Sequence, residues 1–223
     1  MDGAGKSTQI ENLRAALQSM GFRVRVFTFW DDVVVFSKAR EQVTVKAFKS
    51  EKGVGTPERP VERRDKNVRA WYLTMARHGL YVLDALHLRK VVNSALKSGS
   101  DVVIVDRYIY DELANLPLER PATRAFVRFI ETIVPLPDVA YLLDADPEAA
   151  HARKPEYPVD FMHKCRAAYY RLASLLGTMT VIPALPLPEA KQAVVTACDK
   201  TILVRELGTT NSPSNRGIGV PAA

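Results

Sequence analysis

The first eight residues, MDGAGKST, carry the end of a phosphate-binding pattern, G-x-x-x-x-G-K-[ST]. Gly3 and Gly5 leave room for backbone N–H groups to turn around phosphate oxygens with no Cβ in the way. Lys6 brings an ammonium that reaches β- and γ-phosphates, and Ser7 brings a hydroxyl for Mg²⁺. The helix that opens near Ser7 adds the positive end of its dipole. Ala4 and Thr8 complete the loop, and the ligands this chemistry calls for are ATP and Mg²⁺. A second group of interest is Asp106-Arg107-Tyr108, which follows the apolar run VVIV. A carboxylate and a guanidinium at a strand end are suited to a metal and to an anion, respectively.

Elements that would position these residues follow from periodicity. Ile10, Leu13, Leu17 and Met20 recur at helical spacing over 7–20, with Gly21 as a stop. FRVRVFTFW (22–30) alternates like a strand. The stretch 33–66 holds two β-prone runs and the tract GVGTPERP, which fit a hairpin excursion or a loop equally well. A long helical pattern covers 67–97, and DVVIVD (101–106) reads as a strand covered on both faces. Helix is expected over 121–133, strand over 139–146 and helix over 147–177 with a break at Pro155 and Pro158. A last strand over 179–185 and a last helix over 188–206 follow, and the polar tail from 207 to 223 reads as disordered. Alternating strands and helices give an α/β fold of the P-loop NTPase type. It has three layers, with an open parallel sheet and helices on both faces. Ligands then sit beyond the carboxyl ends of the strands, where the residues above fall. The pattern's first glycine lies one position ahead of Met1, so the expectation is a translation start upstream. On that expectation, the 223 residues lack the sheet's first strand, the one that carries the loop.

The composition agrees. In 223 residues, 47% apolar and 25% charged, the balance is that of a globular domain, and there is no run of about 18 apolar residues to span a membrane. With no signal peptide, the expected compartment is the cytoplasm. Two cysteines, Cys165 and Cys198, cannot form a disulfide framework or a four-ligand zinc site. The net charge of +6 is local, since residues 38–69 hold ten Lys/Arg against five acids. Mixed signs and few aromatics make that stretch a solvated face, so nucleic acid is not the expected partner.

Asp-Gly-Ala-Gly-Lys-Ser-Thr (2–8), Asp-Arg-Tyr (106–108) and Phe-Met-His-Lys-Cys-Arg-Ala-Ala-Tyr-Tyr-Arg-Leu-Ala (161–173) together resemble thymidylate kinases, across about residues 2–205 and weakly in 30–80. The resemblance implies transfer of the ATP γ-phosphoryl group to a nucleoside 5′-monophosphate, dTMP to dTDP. It assigns Arg107 to the acceptor phosphate beside Tyr108, Asp106 to Mg²⁺, and Asp2 to the neighbourhood of the acceptor sugar. It also makes 147–160 a lid in which Arg153 approaches ATP, because Ala4 stands in a loop without arginine. Homodimers are common in the family, and the long apolar helix allows one.

The chain departs from the family on the acceptor side. After the second strand come Phe29-Trp30-Asp31-Asp32 in place of an Arg-containing loop, and Ser-x-x-Ala-Tyr-Gln becomes Asp111 to Leu116 with only Ala114 kept. His87 matches a family histidine, but the arginine three residues earlier is Asp84, for which Arg77 is a substitute to consider. Trp71, Tyr72 and Tyr81 are candidates to stack on a base. Two rival readings follow from these departures. One is a deoxynucleoside kinase with Asp31 or Asp32 as base; the other is a non-catalytic nucleotide- or nucleic-acid-binding P-loop protein using 38–69.

Overall fold

The computed structural model describes residues 4–35, 40, 71–155 and 157–210, with side chains described throughout except in 71–74 and 203–210. The remainder of the 33–66 stretch, together with Asp2 and Gly3, lies outside the described residues. Helix α1 (Lys6–Ser19) leads to β1 (Val24–Thr28) and a π-helical turn (Phe29–Val33). Then come α2 (Trp71–Lys97), β2 (Val102–Asp106), a one-turn α3 (Tyr110–Leu113) and α4 (Pro121–Ile133). The chain continues through β3 (Ala140–Leu143), α5 (Pro147–Arg153), α6 (Val159–Leu176), β4 (Met179–Ile182) and α7 (Leu187–Thr210). Helix α7 thus includes 207–210 of the stretch read as tail, and 211–223 lie outside the described residues.

The reasons for these elements are local. Pro121 sits at the first helical position of α4, where a missing N–H costs nothing. Gly177 ends α6 in the left-handed conformation at φ 70°. Pro155 and Pro158 separate α5 from α6 as their ring geometry requires. β1 is shorter than its alternating pattern. Asp32 Oδ2 accepts the Thr28 backbone N–H at 2.7 Å, and buried Phe29 and Val33 pin the π turn that replaces the strand's last residues.

β1 pairs in parallel with β2, and β3 in parallel with β4, each pair joined by helical crossovers. One core lies under α2, α4 and α6, around Phe29, Leu88, Ile109, Leu113, Val127, Ile130 and Leu172, and Val105, Ala140 and Met179 reach into it from three strands. The other lies under α1 and α7, around Leu13, Leu17, Ile182 and Val194, met by Val102, Ile104, Tyr141 and Leu143. Helices therefore cover both faces of the strands, and both pairs share both cores. No ladder joins β2 to β3 among the described residues. This explains a departure from expectation. All five residues of β2 are only half-buried, although VVIV reads as a strand covered on both sides, because one edge of β2 has no strand beside it among the described residues. Among the described residues, no helix is long and apolar enough to cross a membrane.

Candidate active site

The carboxyl ends of β1 and β2 meet in register, Thr28 opposite Asp106. The π turn after Thr28 and the segment starting at Arg107 therefore leave the sheet side by side. On the other face, α1 begins at Lys6 after Gly5, whose φ of 76° is a left-handed conformation that a side chain would strain. Among the described residues no side chain caps α1, an arrangement that suits an anion at a helix N-terminus. Ser7 and Thr8 are exposed on the first turn, and Lys6 is half-buried. Ala4, like Tyr157, packs against the buried cluster of Ala145, Ala150 and Met162, which places α5 and the start of α6 against the loop. Arg153, exposed in the last turn of α5, thus belongs to the element that touches the loop.

Arg107 is the only described non-glycine residue with positive φ, 59°. That conformation costs about 1 kcal/mol or more for an L-residue and persists where surroundings enforce it. Its Nη1 lies 3.6 Å from Asp111 Oδ2. The Tyr169 hydroxyl donates to Asp111 Oδ1, and burial together with that carboxylate pushes the phenol far above its ordinary pKa. The Tyr108 hydroxyl donates to the Pro135 carbonyl, and its ring meets Tyr110 edge-on at 5.0 Å, which fastens the strand end.

Tyr81 is buried, and its hydroxyl donates to Glu112 Oε2 at 2.7 Å. Burial and the Glu112 carboxylate hold this phenol well above its ordinary pKa, opposed by the cations of Arg77 and Arg40. Asp84 is fully buried and is not bare: Arg40 donates Nη1 to Oδ2 at 2.7 Å and Nη2 to Oδ1 at 2.8 Å, and the Val35 N–H donates to Oδ1 at 2.9 Å. One turn on, His87 Nδ1 donates to the Val33 carbonyl at 2.7 Å, which fixes its tautomer. Asp32, offered by one rival reading as a base, is bonded to the backbone it terminates. The side chains of Trp71 and Tyr72 lie outside the described residues.

At the end of β3, Asp144 accepts from Arg166 Nε at 2.7 Å and Nη2 at 2.6 Å, and from the Tyr170 hydroxyl at 3.0 Å. The Arg166 guanidinium holds that carboxyl below the usual carboxylate range, with Tyr170 assisting. A hollow of about 670 Å³ between β4 and α7 is lined by residues such as Thr180, Glu189 and Lys200, none of them in this cluster.

A glycine loop and an arginine held at positive φ thus stand at the carboxyl ends of the strands. Comparison with known proteins fits this arrangement. The thymidylate kinase family model matches residues 70–194. The thymidylate kinase of Bifidobacterium longum subsp. infantis is 31% identical over 185 residues, which is 78% of this chain and 71% of that protein. The chain belongs to the thymidylate kinase family. A protein of Archaeoglobus fulgidus described as a probable thymidylate kinase is 26% identical over 202 residues, 87% of this chain and 89% of its own.

Against the family, sequence reasoning missed the Arg40–Asp84 pair, the Tyr81–Glu112 bond and the Asp144–Arg166–Tyr170 group. A signal existed for the first two: Arg77, Tyr81, Asp84 and Leu88 share one inward helical face of α2, and an acid there needs a partner.

Proposed function

We propose that this chain transfers the γ-phosphoryl group of ATP to dTMP, giving dTDP. Membership of the thymidylate kinase family supports it. The single structural observation that carries it is Arg107 held at φ 59° beside the Thr28 turn, at the same strand ends as the glycine loop. Phosphoryl transfer asks for alignment and charge neutralisation more than for covalent chemistry. The second pKa of a phosphate monoester is about 6, so the acceptor is largely a dianion at neutral pH and needs no strong base.

In this reading Gly3, Ala4, Gly5, Lys6, Ser7 and Thr8 cradle the donor phosphates, with Lys6 neutralising charge as it moves. The Ser7 hydroxyl and Asp106 carboxylate are hard oxygen donors that would hold Mg²⁺, whose charge offsets that on the β- and γ-phosphates. Arg107 orients the acceptor phosphate, and its Asp111 contact sets the guanidinium plane before the anion arrives. Arg77 and Tyr81 line the acceptor side, Asp2 serves the sugar, and Arg153 reaches the donor as residues 147–160 close and exclude water. Tyr108 seats the strand end. Residues 1–206 form one kinase domain in a three-layer fold of the P-loop type. Exposed Met75, Leu83, Leu86 and Leu96 along α2 support a homodimer through that helix, in a cytoplasmic enzyme.

A coupled ADP-release assay across nucleosides and nucleoside monophosphates tests the reading. Turnover with dTMP and none with thymidine is the expected result, and turnover with nucleosides alone overturns it.

A further inference from the structure

We propose that the open edge of β4, with the face of α7 beside it, is a self-association surface on which two copies of this chain meet about a two-fold axis. The proposal stands apart from the kinase reading above and from the exposed leucines of α2.

Among the described residues β1 and β4 are each bonded on one side only, β1 to β2 and β4 to β3. They guard the open side differently. β1 carries the exposed Arg25, whose guanidinium lies over the Phe27 ring at 5.2 Å, and a charged edge of this kind discourages a further strand. β4 reads Met179-Thr180-Val181-Ile182, with neither charge nor proline, and Val181 is exposed. The Ile182 carbonyl accepts the Asp144 N–H at 2.8 Å on the β3 side. Alternation along the strand therefore turns the main-chain groups of Met179 and Val181 to the open side, a row of donors and acceptors suited to another strand.

The hollow of about 670 Å³ beside this edge points to the owner of that strand. Its lining includes Thr180 and Ile182 from β4, the small Ala193 and Ala197 in the middle of the α7 face, and Glu189 and Lys200 towards the two ends. The two charges are exposed and eleven residues apart, about 16 Å along the helix. A face that is acidic at one end and basic at the other complements itself once it is turned by half a circle. Such an axis sets Glu189 of each copy beside Lys200 of the other. It also sets Ala193 opposite Thr196, where short side chains let the helices approach closely. The same rotation lays the two β4 strands antiparallel, edge to edge, as Met179 and Val181 need. A partner carrying charge of one sign would meet one end of the face and be repelled by the other, which is why a second copy is the occupant.

This surface is separate from α2. That helix covers the core around Leu88 and Ile130, whereas α7 covers the core around Leu13 and Val194. The surface also includes none of Lys6, Asp106 and Arg107, so kcat serves as a control.

Sedimentation equilibrium on the full chain tests the proposal, in a background of Leu83→Glu with Leu86→Glu that removes association through α2. That background is expected to remain dimeric. Glu189→Lys alone, and Lys200→Glu alone, each bring like charges together at both ends of the interface. Each is expected to raise the dimer dissociation constant roughly tenfold, and by less in high salt. Exchanging the charges, Glu189→Lys with Lys200→Glu, should restore the constant to within about twofold. An equal mixture of the two single variants should do the same, because their heterodimer pairs opposite charges. Thr196→Arg places a long cation at the close centre of the helix pair and should leave a monomer with kcat little changed. Circular dichroism checks that each variant folds. A background that stays monomeric up to about 100 µM overturns the proposal. So do single reversals that leave association unchanged, an exchange that fails to restore it, or a folded Thr196→Arg variant that still dimerises.

Discussion

The donor and acceptor halves handle charge in opposite ways. Around the loop, Gly5, Ser7 and Thr8 are exposed and α1 has no side-chain cap among the described residues, so in the proposed reading backbone and helix dipole do most of the holding. Around Arg107 the structure is dense with paired side chains: Asp111 with Tyr169, Glu112 with Tyr81, Asp84 with Arg40. Backbone N–H groups cannot tell one triphosphate from another beyond its phosphates, whereas a plane of fixed donors and acceptors discriminates sharply. In the proposed reading donor chemistry is generic, and the acceptor half carries the discrimination.

The largest effect is expected from Lys6→Ala. Removing the one side-chain cation of the loop should lower kcat by about a hundredfold or more, while calorimetry still detects acceptor binding. An equal weakening of dTMP binding would show that the halves are not separable. Next comes Arg107. Arg107→Ala should raise the KM for acceptor roughly ten- to hundredfold, the worth of a charged hydrogen bond, with ATP binding intact. Loss of ATP affinity instead would move Arg107 to the donor half. Arg107→Gly sharpens the point, since glycine accepts φ 59° freely and relieves strain of about 1 kcal/mol. That variant should melt no lower than Arg107→Ala yet be equally impaired, separating stability from function.

How far the sequence discloses this arrangement depends on how local each signal is. Pro121 and the apolar spacing after it define α4 residue for residue, and VVIVD gives the register of β2 with Asp106 at its end. The start of α1 is legible because Gly5 directly precedes a run with helical spacing. The Arg40–Asp84 pair spans 44 positions across a stretch with conflicting signals, so no window of the sequence contains it. The Tyr108–Pro135 bond is hidden for a related reason: adjacency to Arg107 says nothing about which way the next side chain turns, and the Pro135 carbonyl lies in the stretch after α4. The end of β1 at Thr28 is set by Asp32 bonding back to the strand, a contact that competes with, and overrides, the alternation of FRVRVFTFW.

The smallest effect concerns the helix that links the halves. On α6, Tyr169 reaches Asp111 in the acceptor half, while Arg166 and Tyr170 reach Asp144, just ahead of the α5 helix that packs on Ala4. The Asp144 carboxyl is held below its ordinary pKa in the folded protein, so its contribution to stability is present above the unfolded value of about 4 and fades as pH falls toward the folded one. Arg166→Met removes that contribution. With Arg166 39% exposed, solvent screens the pair, and the loss at pH 7 is expected at about 1 kcal/mol or less. Urea titrations of wild type and Arg166→Met should therefore run parallel from pH 7 to about 5 and converge below about 4. A gap that persists undiminished into acid would mean that Arg166 acts by packing against Tyr170, over whose ring it lies at 5.5 Å, and not through the Asp144 charge. The two halves would then be joined through α6 by shape alone.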